Sequence, residues 1–117
     1  MREKVLVIDD HEAFRTAARL LLEADGFDVV AESATGADGV RAADRHRPTL
    51  VVLDVRLPDI DGFEVAGQLA ELADPPQVVL VSSRAAATYG PRVGSAPVRG
   101  FLLKSELSGA ALRRLLA

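Results

Sequence analysis

The amino-acid sequence predicts an α/β fold: a five-stranded parallel sheet of strand order 2-1-3-4-5, with helices on both faces. Short apolar runs rich in β-branched residues alternate with helical patterns along the 117 residues, which is typical of parallel β-α-β units. The connections are short, and the central run, Leu50–Leu53, is unbroken, as in a strand buried on both faces. The length suits one domain, which we expect to span residues 1–117.

The first strand is predicted over Lys4–Ile8, and a helix follows to about Ala24. Apolar residues recur in this helix at i, i+3, i+4, i+7 and i+8, the spacing of one buried face. The predicted buried stripe is Phe14, Ala17, Ala18, Leu21 and Leu22, with Arg15, Thr16, Arg19 and Glu23 on the solvent side.

The second strand is expected over Phe27–Ala31, at the edge of the sheet because Asp28 interrupts its apolar run. The second helix begins after Thr35, which together with Asp38 resembles an N-terminal capping box. Pro48 closes this segment, and the central strand follows.

The third helix is expected after Asp61, which with Glu64 three residues later is typical of a helix N-terminus. Pro75 and Pro76 are predicted to end this helix. Its expected buried face consists of Val65, Ala66, Leu69, Leu72 and Ala73.

The last third of the chain contains two more predicted strands, Val78–Val81 and Val98–Leu103. Between them, Gly90-Pro91 interrupts the alanine-rich piece Ala85–Tyr89, because proline removes a donor and disfavours helix in the preceding residue. We therefore expect a short or broken fourth helix. A fifth helix is predicted to end near Leu116.

Composition narrows the functional class. The chain has no cysteine, which excludes disulfides and thiolate chemistry. The net charge is −3 and the basic residues are scattered, so no nucleic-acid footprint is present in this segment. No apolar stretch approaches membrane-spanning length and no signal peptide is evident. We expect a cytoplasmic protein without membrane contact.

Polar side chains follow four of the predicted strands. Strand one ends in Asp9 and Asp10, strand three in Asp54, strand four in Ser82 and strand five in Lys104. Because parallel strands end at the same edge of a sheet, these groups are expected to gather there. Asp54 alone could be a loop-entry residue, since Asp is common at such positions, but four strands that each end in a functional group are harder to explain by capping.

The expected cluster has the chemistry of a magnesium site. Three carboxylates at one edge repel one another, which raises their proton affinity unless a cation is bound. A set of oxygen ligands without thiols suits Mg²⁺. His11 follows the acid pair and is interpreted as a surface loop residue.

The combination of acids, a hydroxyl and a lysine after successive strands resembles the receiver domain of bacterial two-component response regulators. The resemblance covers essentially the whole chain and implies a phosphoacceptor that catalyses only its own phosphorylation and dephosphorylation, not a classical enzyme. The matching residues are Asp9-Asp10, Asp54 with Pro58 and Gly62 behind it, Ser82, and Lys104 preceded by Phe101.

The resemblance assigns a role to each residue at the predicted edge. Asp54 would be the phosphoacceptor. Asp10 would ligate Mg²⁺ directly and Asp9 more through water, with the backbone carbonyl of Arg56 as a further ligand. Lys104 would pair with one phosphoryl oxygen.

A switch is also implied. The Ser82 hydroxyl would move toward the phosphoryl group and Phe101 would swing inward behind it, although Phe101 also fits an ordinary core aromatic. The responding surface would be helix four, strand five and helix five. Implied partners are a sensor histidine kinase, an output domain or partner protein at this surface, and a phosphorylation-dependent second copy.

Arg56 and Arg84 lie two residues beyond Asp54 and Ser82, respectively. In receiver domains these positions tune how water reaches the acyl phosphate, so we expect both arginines to set the lifetime of the phosphorylated state. Ser105 stands where the family often has proline after the lysine.

Two alternatives remain from the sequence. A phosphatase of the haloacid-dehalogenase type also has a nucleophilic Asp after an apolar strand, but it needs a second Asp two residues later, where this chain has Arg56. The other alternative is a receiver-like module that binds partners without phosphorylation; such modules usually lose acids or the lysine, which are present here. The receiver interpretation also leaves open whether the chain stands alone or belongs to a longer regulator with a DNA-binding domain.

Overall fold

A computed structural model describes residues 2–117 and contains one parallel sheet of order β2-β1-β3-β4-β5. Every neighbouring pair of strands is parallel. The predicted strand order and the edge position of β2 are therefore confirmed. The strands are β1 (Lys4–Ile8), β2 (Asp28–Ser33), β3 (Leu50–Asp54), β4 (Gln77–Ser82) and β5 (Gly100–Leu103).

In the described part of the chain, five α-helices alternate with the strands. Short 3-10 turns at Ala86–Tyr89 and Lys104–Glu106 lie on either side of β5 in the sequence. Within residues 2–117, no helix is long and apolar enough to cross a membrane. The helices are α1 (Glu12–Ala24), α2 (Gly36–His46), α3 (Gly62–Ala70), α4 (Arg92–Ser95) and α5 (Gly109–Leu116).

The sheet separates two apolar cores, because alternate residues of each strand face opposite sides. Val5 and Val7 of β1 belong to the core that also contains buried residues of α1 and α5. Leu6 and Ile8 belong to the core that contains buried residues of α2 and α3. Residues Leu50–Leu53 of β3 are fully buried, as expected for a strand covered on both faces.

The buried stripe of α1 is narrower than predicted. Phe14, Ala18 and Leu22 pack inward, but Ala17 is exposed and Leu21 is 38% exposed. Arg19, predicted to face solvent, is half-buried because its guanidinium pairs with Glu32 of β2. Arg15 does the same. The helix lies beside the edge strand, so part of its predicted stripe has no sheet to cover it.

The end of α3 also differs from the prediction. The helix ends at Ala70, before Pro75, because Glu71 and Leu72 donate their amides three residues back, which tightens the chain into a turn. Leu72 is half-buried beyond the helix, and Ala73 is exposed. The prolines therefore follow the stop and do not cause it.

The predicted weakness of the fourth helix is confirmed. Gly90 has φ +62°, a conformation that favours glycine, and Pro91 starts a helix of only four residues, Arg92–Ser95. Neither this helix nor the preceding 3-10 turn contains a buried residue. Strand β5 begins at Gly100, two residues later than predicted, whereas β2 extends two residues further, to Ser33.

Candidate functional site

The strand register brings the predicted site residues to one edge of the sheet. Ile8 of β1 pairs with Leu53 of β3, so Asp9 and Asp54 are the next residues on adjacent strands. Ser82 pairs with Leu103, which places Lys104 just beyond it. A cleft of about 390 Å³ opens at this edge. Its walls include Asp10, His11, Asp54, Arg56, Ser82, Arg84, Tyr89 and Lys104.

Lys104 lies between two buried carboxylates. Its ammonium nitrogen is 2.5 Å from Oδ2 of Asp9, which is fully buried, and 3.5 Å from Oδ2 of Asp54, which is 4% exposed. The lysine side chain also passes over the Phe14 ring, with Nζ 4.6 Å from its centre. The approach to Asp9 is an ion pair without hydrogen-bond geometry, so Oδ2 of Asp9 has no hydrogen-bond donor within residues 2–117.

Asp54 is a buried carboxylate whose surroundings disfavour its charged form. Burial raises its pKa above the ordinary value, and the neighbouring charge of Asp9 raises it further, while Lys104 and the amide of Arg56 oppose the rise. That amide is 3.4 Å from Oδ1 of Asp54, so the carboxylate is only weakly held by its own loop. A carboxylate with a raised pKa is a better nucleophile and gains more from a bound cation.

Gly62 lets the start of α3 approach the end of β3. Its amide donates to the carbonyl of Val55 at 2.7 Å, and a Cβ at this position would collide with the backbone of Asp54 and Val55. The helix therefore begins directly against the backbone of Asp54. The side chain of Asp61 caps this helix by accepting from the amide of Glu64, as predicted.

The acid cluster fits a divalent cation. Ligand atoms of Asp9, Asp10, His11 and Asp54 lie within 4.8 Å of one another. Oδ2 of Asp9 accepts no hydrogen bond and is balanced only by its contact with the Lys104 ammonium, at 2.5 Å, so this oxygen keeps its capacity to bind a metal ion. Carboxylate oxygens are the donors that Mg²⁺ prefers. His11 is closer to this cluster than the sequence indicated: its Nδ1 is 3.1 Å from Asp9 and 3.2 Å from Asp10.

Ser82 is almost fully buried and makes two contacts. Its Oγ accepts from the amide of Arg84 at 2.9 Å and lies 2.7 Å from the hydroxyl of Tyr89. The Tyr89 ring packs between Phe63, at 5.9 Å, and Phe101, at 6.1 Å, measured between ring centres. Phe101 is half-buried at the margin of the α2–α3 core.

Arg56 and Arg84 are exposed and both line the cleft, on the loops after β3 and β4. Within the described residues, neither side chain forms an ion pair. Both guanidinium groups are therefore available at the rim.

Asp59 anchors the loop that follows β3. Its two carboxylate oxygens accept from the amides of Gly36 and Ala37, at 2.8 and 2.9 Å, at the N-terminus of α2. These hydrogen bonds, the one from Ala37 above all, lower the pKa of Asp59 to about 2. The loop that carries Arg56 is thus attached to the neighbouring helix.

Tyr89, Asp59 and the position of His11 were not identified by sequence reasoning. Tyr89 lies in an irregular turn where no periodicity predicts the direction of a side chain. Asp59 meets Gly36 across 23 positions of sequence, and no local motif relates the two. The proximity of His11 to two predicted ligands was visible in the sequence, but its direction was not.

A doubly wound parallel sheet with acids, a hydroxyl and a lysine at its carboxyl edge defines a class of α/β domains whose chemistry lies at the switch point of the strand order. Residues 5–116 match the family model of the response regulator receiver domain. The chain belongs to this family, which is regulatory and part of two-component systems. This membership overturns the phosphatase alternative.

Curated relatives and solved structures agree with this family assignment. A transcriptional regulator of Pseudomonas aeruginosa is 41% identical over 88% of this chain and 50% of its own length. The virulence-factor transcription regulator BvgA of Bordetella pertussis is 39% identical over 91% of this chain and 51% of its own. The chain thus spans about half the length of these relatives. The signal receiver domain of NarL from Mycobacterium tuberculosis has a TM-score of 0.85 and 30% identity, covering 99% of this chain and 98% of that one.

Proposed function

We propose that residues 1–117 form one receiver domain that accepts a phosphoryl group on Asp54 from the phosphohistidine of a sensor kinase. The observation that carries the proposal is the position of Asp54: a buried carboxylate with a raised pKa, open to the cleft and flanked by Lys104 and the other acids.

The transfer is a substitution at phosphorus. A carboxylate oxygen of Asp54 attacks the phosphorus atom, the P–N bond of the phosphohistidine breaks, and the electron pair leaves with the imidazole, which takes up a proton. The product is an acyl phosphate. Mg²⁺, when bound, supplies positive charge that stabilises the transferring phosphoryl oxygens.

Asp10 and Asp54 would hold the metal directly. Both line the cleft, whereas Asp9 is fully buried, which favours a role for Asp9 through water. The backbone carbonyl of Arg56 stays a predicted further ligand. His11 is close enough to contribute a ring nitrogen as well.

Lys104 and Ser82 would bind the transferred group. A phosphoryl group adds about −1.5 to −2 charges and three acceptor oxygens. Lys104, already 3.5 Å from Asp54, would turn from Asp9 to one of these oxygens, and Ser82 would donate to another. Phe101 would then move inward, which changes the surface of α4, β5 and α5.

That surface would bind an output domain, a partner protein or a second phosphorylated copy. The relatives from Pseudomonas aeruginosa and Bordetella pertussis are transcription regulators. A transcriptional output of this kind, together with a kinase donor, would place the chain in the cytoplasm, with nucleic acid bound elsewhere than in this segment.

The test of the phosphoacceptor is incubation with acetyl phosphate and Mg²⁺, followed by intact-mass analysis. One phosphoryl group is expected on the wild type and none on Asp54→Asn. Asp74→Asn, at an exposed acid in the loop before β4, is the matched control and should be labelled normally. Undiminished labelling of Asp54→Asn would refute the assignment, and no labelling of the wild type would favour the unphosphorylated module.

The metal site is tested separately, by Mg²⁺ titration monitored by NMR. Amide shifts are expected after β1 and β3, because Asp10 and Asp54 lie there. Neither carboxylate alone neutralises the ion, so Asp10→Ala should weaken binding strongly. An unchanged affinity in that variant would count against the site.

A further inference from the structure

The hydroxyl of Tyr89 shares the phosphoryl cleft with Asp54 and Lys104, although no role is assigned to it by the proposed function. Tyr89 Oη lies 2.7 Å from Ser82 Oγ, while Arg84 donates its amide to the same oxygen at 2.9 Å. Since Ser82 is 3% exposed, solvent hardly reaches it. Its hydroxyl is held by two partners, and neither of them is Asp54.

This arrangement creates a competition. Either hydroxyl can donate in the Ser82–Tyr89 bond, and in both cases the bond holds Oγ of Ser82 beside Tyr89. A serine hydroxyl has one proton to donate, and a phosphoryl group on Asp54 would need Oγ turned so that this proton is directed toward the phosphoryl oxygens. Hydrogen bonds to a charged acceptor are roughly twice as strong as neutral ones. A phosphoryl group would therefore displace Tyr89 as the partner of Ser82. The net free energy of this change would be smaller than that of the new hydrogen bond, because the Ser82–Tyr89 bond is broken.

The geometry points to Tyr89 as a positioning residue that holds the Ser82 hydroxyl away from the phosphoryl site and so favours the unphosphorylated state. This inference rests on the proposed function. When Ser82 turns to the phosphoryl group, Tyr89 loses its partner.

The Tyr89 ring connects the Ser82 hydrogen bond to the surface of α4, β5 and α5, which we call the switch surface. It packs against Phe101 of β5 on one side and Phe63 of α3 on the other. The guanidinium of Arg92, in α4, lies 4.2 Å from the centre of the Phe63 ring and pairs with Asp61 at 2.6 Å. The 3-10 turn and α4 contain no buried residue, so these side-chain contacts provide much of their attachment.

The test is the affinity for beryllofluoride, an acyl phosphate mimic, measured with Mg²⁺ by calorimetry in four proteins: wild type, Tyr89→Phe, Ser82→Ala and the double variant. Tyr89→Phe keeps the ring and removes only the hydroxyl. It should bind roughly 2- to 12-fold more tightly than wild type, the range that one neutral hydrogen bond corresponds to. In the Ser82→Ala background the same change should have no effect. Thr88→Val, which removes an exposed hydroxyl from the same turn, should match wild type.

A second readout is tyrosine emission. Tyr89 is the only tyrosine of a chain that lacks tryptophan, so its emission should change when beryllofluoride and Mg²⁺ bind to wild type. An unchanged or weaker affinity in Tyr89→Phe would overturn the inference, as would an equal gain in the absence of Ser82. If wild type itself does not bind the mimic, the proposed function fails, and the inference fails with it.

Discussion

The ammonium group of Lys104 lies 2.5 Å from Oδ2 of Asp9, an aspartate with no solvent exposure. This contact is shorter than the 3.5 Å from the same nitrogen to Asp54. Without a metal ion, Lys104 is therefore the cation that balances the buried charge of Asp9. Binding of Mg²⁺ and a phosphoryl group would move its ammonium group away from Asp9.

Replacing Lys104 with methionine should have two opposite effects. Without metal, the variant should lose about 3 kcal/mol of unfolding free energy, because a buried charge loses its partner. Its affinity for Mg²⁺ should rise about tenfold or more, since two unit charges 4 Å apart interact by about 4 kcal/mol near a protein surface and ~1.4 kcal/mol corresponds to tenfold.

Chemical denaturation and Mg²⁺ titration check both effects. Lys4→Met is the matched control, because Lys4 is the only other lysine and is exposed. A variant of Lys104 that binds Mg²⁺ more weakly than wild type would contradict the view that the lysine competes with the metal.

Asp59 should titrate near pH 2. Its pKa is lowered from the ordinary 3.8 by the amides of Ala37 and Gly36. Because the native pKa lies below the unfolded one, the ionised group stabilises the fold above about pH 3.8, and this contribution is lost as the pH falls from 3.8 to 2. NMR titration of the carboxyl carbon gives the midpoint directly.

Asp59→Asn should accordingly lower the Tm at neutral pH, and the difference from wild type should shrink as the pH approaches 2. Asp74→Asn serves again as the control. An Asp59 midpoint near 4 would show that the two amides do not bind the carboxylate in solution.

Residues 85–95 should exchange their amide hydrogens far faster than β3. The segment contains a four-residue 3-10 turn, a glycine with positive φ and a four-residue helix, none with a buried residue. Few buried contacts and short hydrogen-bonded runs give low local stability. Hydrogen exchange followed by mass spectrometry measures this, with the fully buried β3 as the internal reference. Protection equal to that of β3 would exclude a mobile switch surface.

Arg56 and Arg84 should slow the loss of the phosphoryl group. Both are exposed at the rim of the cleft, where charge-assisted hydrogen bonds to phosphoryl oxygens would shield the acyl phosphate from water. A loose transition state gains little from cations that bind the ground state equally well, so we expect shielding and not acceleration.

The phosphoryl half-life with excess Mg²⁺ should therefore shorten in Arg56→Ala and Arg84→Ala, and most in the double variant. Arg45→Ala, at an exposed position near the end of α2, should behave like wild type. Slower loss, or no change, in the cleft variants would refute shielding.

Much of the architecture could be predicted because it depends on local patterns. The unbroken apolar run of β3 indicated a doubly covered strand, and Asp28 indicated an edge strand; both are observed. The gathering of Asp9, Asp54 and Lys104 followed from the rule that parallel strands end together. The predictions were wrong where burial depends on packing against other elements of the fold. Leu21, for example, fits the apolar spacing of α1, yet no part of the sheet covers it.

The sequence by itself determined the alternation of parallel strands and helices, the residue types at the carboxyl edge and the break at Gly90, because each depends on residues close together in the chain. The strand order was predicted from the resemblance to a known fold. Only the tertiary structure decided that Lys104 pairs more closely with Asp9 than with Asp54, that Asp59 caps α2, and that Tyr89 holds Ser82. These contacts depend on side-chain direction and on distances across the fold, which are set when the two cores pack and which periodicity along the chain does not encode.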